Sequence, residues 1–417
     1  MKMLVIIGNY LPLPHANGIC THQVILELQK RGHQVHALCY DSSGTSDENK
    51  QLVEGVQIHR VRGPILNNYT FMSKSDDHGI KWKLGYTISK WFTRMMTILY
   101  LPFYPLNSIG LVYRYYSKAK KIYKNEKFDR VIAVYRPLEA VVAGALISKK
   151  YKEIKSCMYV LDTLTSINNK STFLNLWFKK SGWLWENRLY KVYNCIINMK
   201  SYEEFYANAR YDKYRNKIVY ADIPLLDNSQ KVDIKIKSIG VNRKWLYCGT
   251  LDSHTRDPEY LCKMFTLNKR LYNDEIHFYS NGNCEDIIGK YSIESGGKIN
   301  QHGYISRTKI LEEIKDADIL VSIGNKNSSM VPSKIFEYIS TGKKIIHFYK
   351  SKDDSCIAYL TKYKNALLID ETIDIADNIM KVEDFLNKKL EKVLQQDIDI
   401  LFALNKPSYT ASIIENF

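Results

Sequence analysis

Ser333, Lys334 and Glu337 bring a hydroxyl, an ammonium and a carboxylate within one turn of each other, in the run Met330 to Phe348, MVPSKIFEYISTGKKIIHF. Apolar Ala317 to Ile323 precedes them and is short enough for a buried parallel strand, followed by the small polar loop Gly324 to Ser329. Pro332 suits a first helical turn, Ile335, Phe336 and Ile339 give the helix an apolar face, and Gly342 ends it before a strand from Lys344 to Phe348. A helix start carries partial positive charge and unpaired N–H groups, so Ser333 and Lys334 there suit an anion. Glu337 shares their face by i+3 and i+4 spacing and is placed to accept hydrogen bonds from a ribose diol. An ordinary capped amphipathic helix would carry the same letters.

Other candidates follow strands. The loop GTLDSHTRDPEYL after Trp245 to Cys248 holds Gly249 and Arg256, whose guanidinium can grip two phosphate oxygens or merely cap the next helix. Asp162 follows the strand Ser156 to Leu161, at the carboxyl end where ligands collect in parallel α/β sheets; it suits an acceptor hydroxyl or a helix N-cap. Gly18 lies in the loop Gly8 to Cys20, where a glycine serves either a turn or a close approach to phosphate. His15 and His22 lie nearby, but a lone histidine is more often structural. No metal is expected: Asp316 and Asp318 spell DxD only at a helix–strand boundary, Asp397 and Asp399 fall in the helical tail, and the eight cysteines form no CxxC pair.

PSKIFEYISTGKKII resembles the donor-binding helix of retaining GT-B glycosyltransferases, especially the family-four enzymes that build bacterial surface polysaccharides. Their two glutamates are separated by seven residues. Glu337 matches the second, while Ser329 stands at the first, so their usual carboxylate contact to the donor sugar is absent here. RGHQVHALCY resembles the opening of many GT-B enzymes, with Gly18 at the position of the glycine that approaches the donor phosphates. His302, Gly303 and Tyr304 match the loop beneath the nucleobase, and the loop holding Gly249 and Arg256 matches the glycine loop that grips the diphosphate. The resemblance implies a metal-independent hexosyltransferase that keeps the anomeric configuration by front-face attack; Arg256 and Lys334 are expected as catalytic residues on the diphosphate, and Asp162, from its place at a strand end, as the one that serves the acceptor. It implies a nucleotide-diphosphate sugar as donor substrate rather than a cofactor, and a glycan or lipid-linked acceptor.

Such chemistry needs two Rossmann-like α/β domains with a cleft between them. In the first, expected strands at Met3 to Ile7, Gln34 to Cys39, within Glu54 to Arg62, and at Phe128 to Val134, Ser156 to Leu161 and Cys195 to Met199 alternate with helices from Thr21, Leu138 and Trp177. This gives an acceptor domain over 1–221, a polar linker over 222–244, a nucleotide-sugar domain over 245–404 and a closing helix over 405–417 that returns to the first domain. A chain of 417 residues with 45% hydrophobic content can bury two cores.

Formal charge is +16, which points to an anionic partner. From Ile80 to Asn125 there are Lys81, Lys83, Lys90, Arg94, Arg114, Lys118, Lys120, Lys121 and Lys124 and no acidic residue, interleaved with Trp82, Tyr86, Trp91, Phe92 and Tyr100. The stretch reads either as an anionic membrane surface or as helices with aromatics in the core and lysines in water. Pro102 and Pro105 break its apolar run short of a membrane span. No signal segment is read, so the expected location is cytoplasmic, peripheral at the inner face of the cell membrane. A nucleic-acid-binding protein would explain the charge, but no zinc, RRM-like or helix-turn-helix signature accompanies it, and no nucleic acid is expected as a partner. A nucleotide-sugar epimerase of similar fold would use the same nucleotide groove.

Overall fold

The computed structural model describes residues 1–11, 15–41, 51–63, 80–164, 172–226, 242–271, 273–303, 305–326, 331–391 and 393–417. The chain forms two compact units, Met1–Pro224 with Pro407–Phe417, and Leu225–Lys406.

The first unit is built on an eight-stranded sheet. Its elements are β1 (Lys2–Ile6), α1 (Ala16–Lys30), β2 (Gln34–Asp41), β3 (Gln51–Val53), β4 (Val56–Arg62), α2 (Ile80–Tyr100), α3 (Ile109–Asn125), β5 (Arg130–Tyr135), α4 (Leu138–Lys150), β6 (Lys155–Val160), α5 (Thr172–Tyr190), β7 (Cys195–Met199) and β8 (Ile218–Ala221). Strand order is β3-β4-β2-β1-β5-β6-β7-β8, parallel throughout except where β3 runs against β4. Leu4 pairs with His36 on one side and Val131 on the other. Because helices cover such a sheet, its central strands are continuous apolar runs: β5 is buried along its whole length. The expected end of the sheet at β7 is corrected by β8, a four-residue edge strand largely half-buried, whose apolar signal is weak.

Segment 80–125 divides at the short turn Leu101–Phe103. Helix α3 buries Leu111, Val112, Tyr115, Ala119, Ile122 and Tyr123, with the Ser108 side chain capping its start. The Glu139 carboxylate on α4 accepts the backbone N–H groups of Asn107 and Ser108 at 2.7 and 2.8 Å, and Trp177 and Trp185 on α5 donate to the carbonyls of Leu101 and Phe103. The turn is thus tied down. Helix α2 instead exposes Ile88, Trp91, Phe92, Met95, Ile98 and Leu99, at spacings that fall on one face; the side chains of Trp82 and Tyr86 lie outside the described ones. Among the described residues no helix is long and apolar enough to cross a membrane.

The second unit holds six parallel strands in the order β11-β10-β9-β12-β13-β14. They are β9 (Lys244–Leu251), α6 (Glu259–Leu267), β10 (Glu275–Gly282), α7 (Glu285–Glu294), β11 (Ile299–Gln301), α8 (Arg307–Asp316), β12 (Ile319–Ile323), α9 (Lys334–Ser340), β13 (Lys344–Tyr349), β14 (Ala366–Asp370) and α10 (Ile375–Asn387). Its core gathers Trp245, Phe265, Phe278, Val321 and Phe348. Residues 227–241, most of the expected linker, lie outside the described set. The helix Pro407–Asn416 packs in the first unit, where Glu415 binds Arg31 and His33, and Arg130 and Lys155 hold the Phe417 carbonyl.

Candidate functional site

Glu337 is the centre of the second unit's sheet edge. It lies in the first turn of α9, only 4% exposed, and a carboxylate so buried must be paired. Lys334 Nζ donates to Oε2 at 2.7 Å and Arg307, opening α8, donates to Oε1 at 2.9 Å. Burial works against the charged carboxylate, but the two cations outweigh it and hold the pKa below the ordinary value. The same balance raises Lys334: burial lowers its pKa and the Glu337 charge more than restores it. The next residue, Tyr338, takes the Cys248 N–H on its hydroxyl at 3.2 Å and so ties α9 to β9. Ser333 directly precedes the helix, half-buried, with no capping bond from its side chain.

One residue further along β9, Gly249 sits at φ +152°, where a Cβ would lie 3.3 Å from the Tyr247 hydroxyl and 3.8 Å from an Arg256 nitrogen. Arg256 donates through Nε and Nη2 to Asn325 Oδ1 at 3.1 and 2.8 Å, and through Nη1 to the Thr250 carbonyl at 3.3 Å. This fork is held half-buried in the loop after β9, and Lys326 N–H bonds the Thr255 carbonyl to fasten that loop to the one after β12. Gly303 follows β11 at φ +68°. Beside it, His302 stacks on Tyr279, centroids 4.6 Å apart, and bonds His277 at 2.8 Å. Tyr304 lies outside the described residues, as does Ser329.

The fold therefore brings Gly249, Arg256, Ser333, Lys334 and Glu337 to the carboxyl-terminal edge of one parallel sheet. Arg307 and Asn325 join them, and the sequence reading missed both. An arginine at a helix start and an asparagine in a polar loop carry no periodic signal; only the fold pairs them with residues 30 and 69 positions away.

In the first unit Asp162 follows β6, half-buried, with the Asn17 amide 3.4 Å from Oδ2 and also 3.4 Å from the Tyr135 carbonyl. The Arg136 guanidinium is held above its ordinary pKa, the neighbouring Tyr135 and Asp162 outweighing its burial. Helix α1 begins at Ala16, five residues before the expected start at Thr21, so Gly18 is buried in its first turn rather than lying in the expected loop. Burial of Gly18 and Cys20 within α1 overrides glycine's low helix propensity. His22 bonds Tyr10 at 2.7 Å and Glu54 at 2.9 Å.

The DxD carboxylates are spoken for: Asp316 pairs with Lys244 Nζ at 2.8 Å, and Asp318 accepts the Lys244 N–H at 2.8 Å. Asp399 pairs with Lys406 at 2.9 Å.

No family model matches the sequence, and no curated protein is similar to it. Solved structures are. WaaG, a glycosyltransferase involved in lipopolysaccharide biosynthesis, aligns with TM-score 0.57 at 12% identity over 100% of both chains. A glycosyltransferase from Rickettsia africae aligns with TM-score 0.57 at 13% identity over 99% of this chain and 97% of its own. A UDP-GlcNAc 2-epimerase from Methanocaldococcus jannaschii aligns with TM-score 0.55 at 12% identity over 100% of both chains. The fold is GT-B, with two Rossmann-like domains.

Proposed function

We propose that this chain is a retaining glycosyltransferase that moves a sugar from a nucleotide-diphosphate sugar to a glycan or lipid-linked acceptor in bacterial surface polysaccharide synthesis. The observation that carries the reading is the buried Glu337 carboxylate bracketed by Lys334 and Arg307 at the strand ends. Each carboxylate oxygen retains acceptor capacity beyond its one cation, so Glu337 can take a ribose hydroxyl. Lys334 and Arg256 supply the positive charge for a diphosphate. In the reaction the bond from the anomeric carbon to the diphosphate breaks, and the acceptor oxygen bonds that carbon on the same face. Negative charge grows on the leaving group, and fixed cations whose attraction increases with it lower the barrier without a metal. Asp162 is assigned to orient the acceptor hydroxyl or take its proton.

Thermal shift against a panel of nucleoside diphosphates tests the donor site; a ligand at 100 times its Kd stabilises by about 2.7 kcal/mol. A panel without a single shift sinks the reading. The likeness to an epimerase favours a second reading, in which the same groove converts the free nucleotide sugar. Mass-tagged sugar appearing on an acceptor, against isomerised nucleotide sugar without one, separates the two.

The acceptor side is assigned to an anionic membrane surface at the cytoplasmic face. Trp91, Ile98 and Leu99 are 69%, 70% and 63% exposed on α2, beside exposed Lys90 and Arg94, a combination suited to headgroup depth. Tyr115 and Tyr123 of α3 are buried and Tyr116 packs partly against the core, with Tyr113 exposed, so its Lys118, Lys120, Lys121 and Lys124 follow the alternative expected for such a helix.

A further inference from the structure

We propose that His347, Asp354 and Cys356 bind one divalent metal ion of the zinc class, which braces the loop that holds Arg256. Their ligand atoms all lie within 4.8 Å of one another, and the three residues are 0%, 5% and 0% exposed. Ligands at ~2.0–2.3 Å around a tetrahedral ion stand roughly 3.3–3.8 Å apart, so small side-chain adjustments close the site.

His347 points to a ligand independently. It sits within β13, paired with Ser322 of β12 and Leu368 of β14, in the interior of the sheet. Its Nε2 is 3.4 Å from Asp354 Oδ1, yet neither ring nitrogen forms a hydrogen bond among the described residues. Buried polar groups in folded proteins nearly always have partners. The rest of the cluster is explained locally: Asp354 Oδ1 accepts the Cys356 N–H at 2.7 Å and so closes the turn after β13. The histidine is left over.

Imidazole nitrogen, carboxylate oxygen and thiolate sulfur together are a zinc donor set, with a fourth position for water. Coordination expels the thiol proton to solvent, and one thiolate and one carboxylate then neutralise a doubly charged ion with no net charge left in the core. The spacing, a histidine seven residues before D-S-C, is not a zinc signature, which is why the sequence reading finds no metal site.

The ion would act on Arg256 through packing. A Cβ on Gly324 would come 1.9 Å from Asp354 Oδ2, so only glycine lets the loop after β12 lie against that carboxylate. Asn325 is the next residue and receives the guanidinium. A metal at Asp354 therefore fixes the support of Arg256, whether or not Arg256 binds a diphosphate.

The test uses the full chain, stripped with chelator and titrated with cobalt(II). We expect one equivalent bound, with the near-ultraviolet thiolate-to-cobalt band and the intense visible bands of a four-coordinate ion, displaced by zinc. Cys356→Ser should lose the thiolate band and His347→Ala should bind at least tenfold more weakly, while Cys284→Ser, at another buried cysteine, keeps both. Zinc should also slow hydrogen exchange at the Lys326 amide. The wild-type spectrum decides even if the variants fold poorly. Failure to bind an equivalent, a six-coordinate spectrum without a thiolate band, or full binding by Cys356→Ser overturns the site. Unchanged exchange at Lys326 in the metal-bound protein overturns the bracing. Nucleotide binding enters none of these readouts, so they stand or fall apart from sugar transfer.

Discussion

Glu415 and Glu337 are each bracketed by two basic side chains, and their surroundings differ in one respect, the end of the sheet at which they lie. Glu415 meets Arg31 and His33 at 2.5 Å, and the same tail meets Arg130 and Lys155; these partners flank the amino-terminal ends of β2, β5 and β6. Glu337 meets Lys334 and Arg307 beyond the carboxyl-terminal ends of its sheet. In parallel α/β sheets ligands gather at the carboxyl-terminal edge. The first cluster fastens a returning helix to its core, and the second faces the edge where a ligand belongs. Chemistry alone would not have told them apart.

The comparison breaks first at the cations. Lys334→Ala and Arg256→Ala should each lower kcat for sugar transfer about 100-fold, in the range for losing one preorganised donor to transition-state charge; Lys334→Ala should also lower the melting temperature, because it takes one of two cations from the buried Glu337 carboxylate. Turnover within threefold of wild type in both would move the diphosphate site elsewhere.

Arg31→Ala should cost about 2 kcal/mol of stability, since it removes charge-assisted bonds to Glu415 and Glu27 and a bond to the Ser408 carbonyl. Nucleotide affinity should not change. Glu337→Gln should do the reverse, weakening nucleoside diphosphate about tenfold, or 1.4 kcal/mol, with the helix intact. Denaturant melts and titration calorimetry on both variants read the crossing; a Glu337→Gln protein with wild-type affinity removes the ribose role.

The pH profile sharpens the same contrast. Burial opposes the charge on Glu415, yet bonds from His33 and Arg31 hold its pKa below the ordinary carboxylate value. Its contribution is therefore fully present above that ordinary value and is lost as pH falls through the lowered one. Acid melts should show wild type converging on Glu415→Gln; parallel curves down to pH 2 would mean the carboxylate is not stabilised by its partners.

The smallest effect is on α2. Lys90→Gln and Arg94→Gln should each weaken binding to anionic vesicles by roughly 1 kcal/mol, and added salt should mimic them. The same change at Lys121 and Lys124 on α3 should have less effect. Wild-type protein that co-sediments with neither anionic nor neutral vesicles ends the membrane assignment.

Much of the fold was legible in the letters. Continuous apolar runs marked most strands, because a sheet covered on both faces leaves no polar alternation to confuse them, and Cys195–Met199 was read to the residue. The edge strands β8 and β14 escaped because half-covered edges carry a weaker pattern. Lys334 and Glu337 could be placed on one face by local helical spacing alone. Arg307, Asn325 and the company of His347 with Cys356 could not, since loops and crossovers set those meetings. Segment 80–125 makes the limit plain: both its helices are basic and aromatic, yet α3 buries one face in the core while the described side chains of α2 are exposed or half-buried, and Glu139, Trp177 and Trp185 fix the turn between them. Sequence determined which segments form strands and helices, since local hydrogen bonding and periodic burial suffice for that. Which charges meet, and at which end of a sheet, was decided only by the tertiary structure, because contacts between residues far apart in the chain depend on where every intervening element lies.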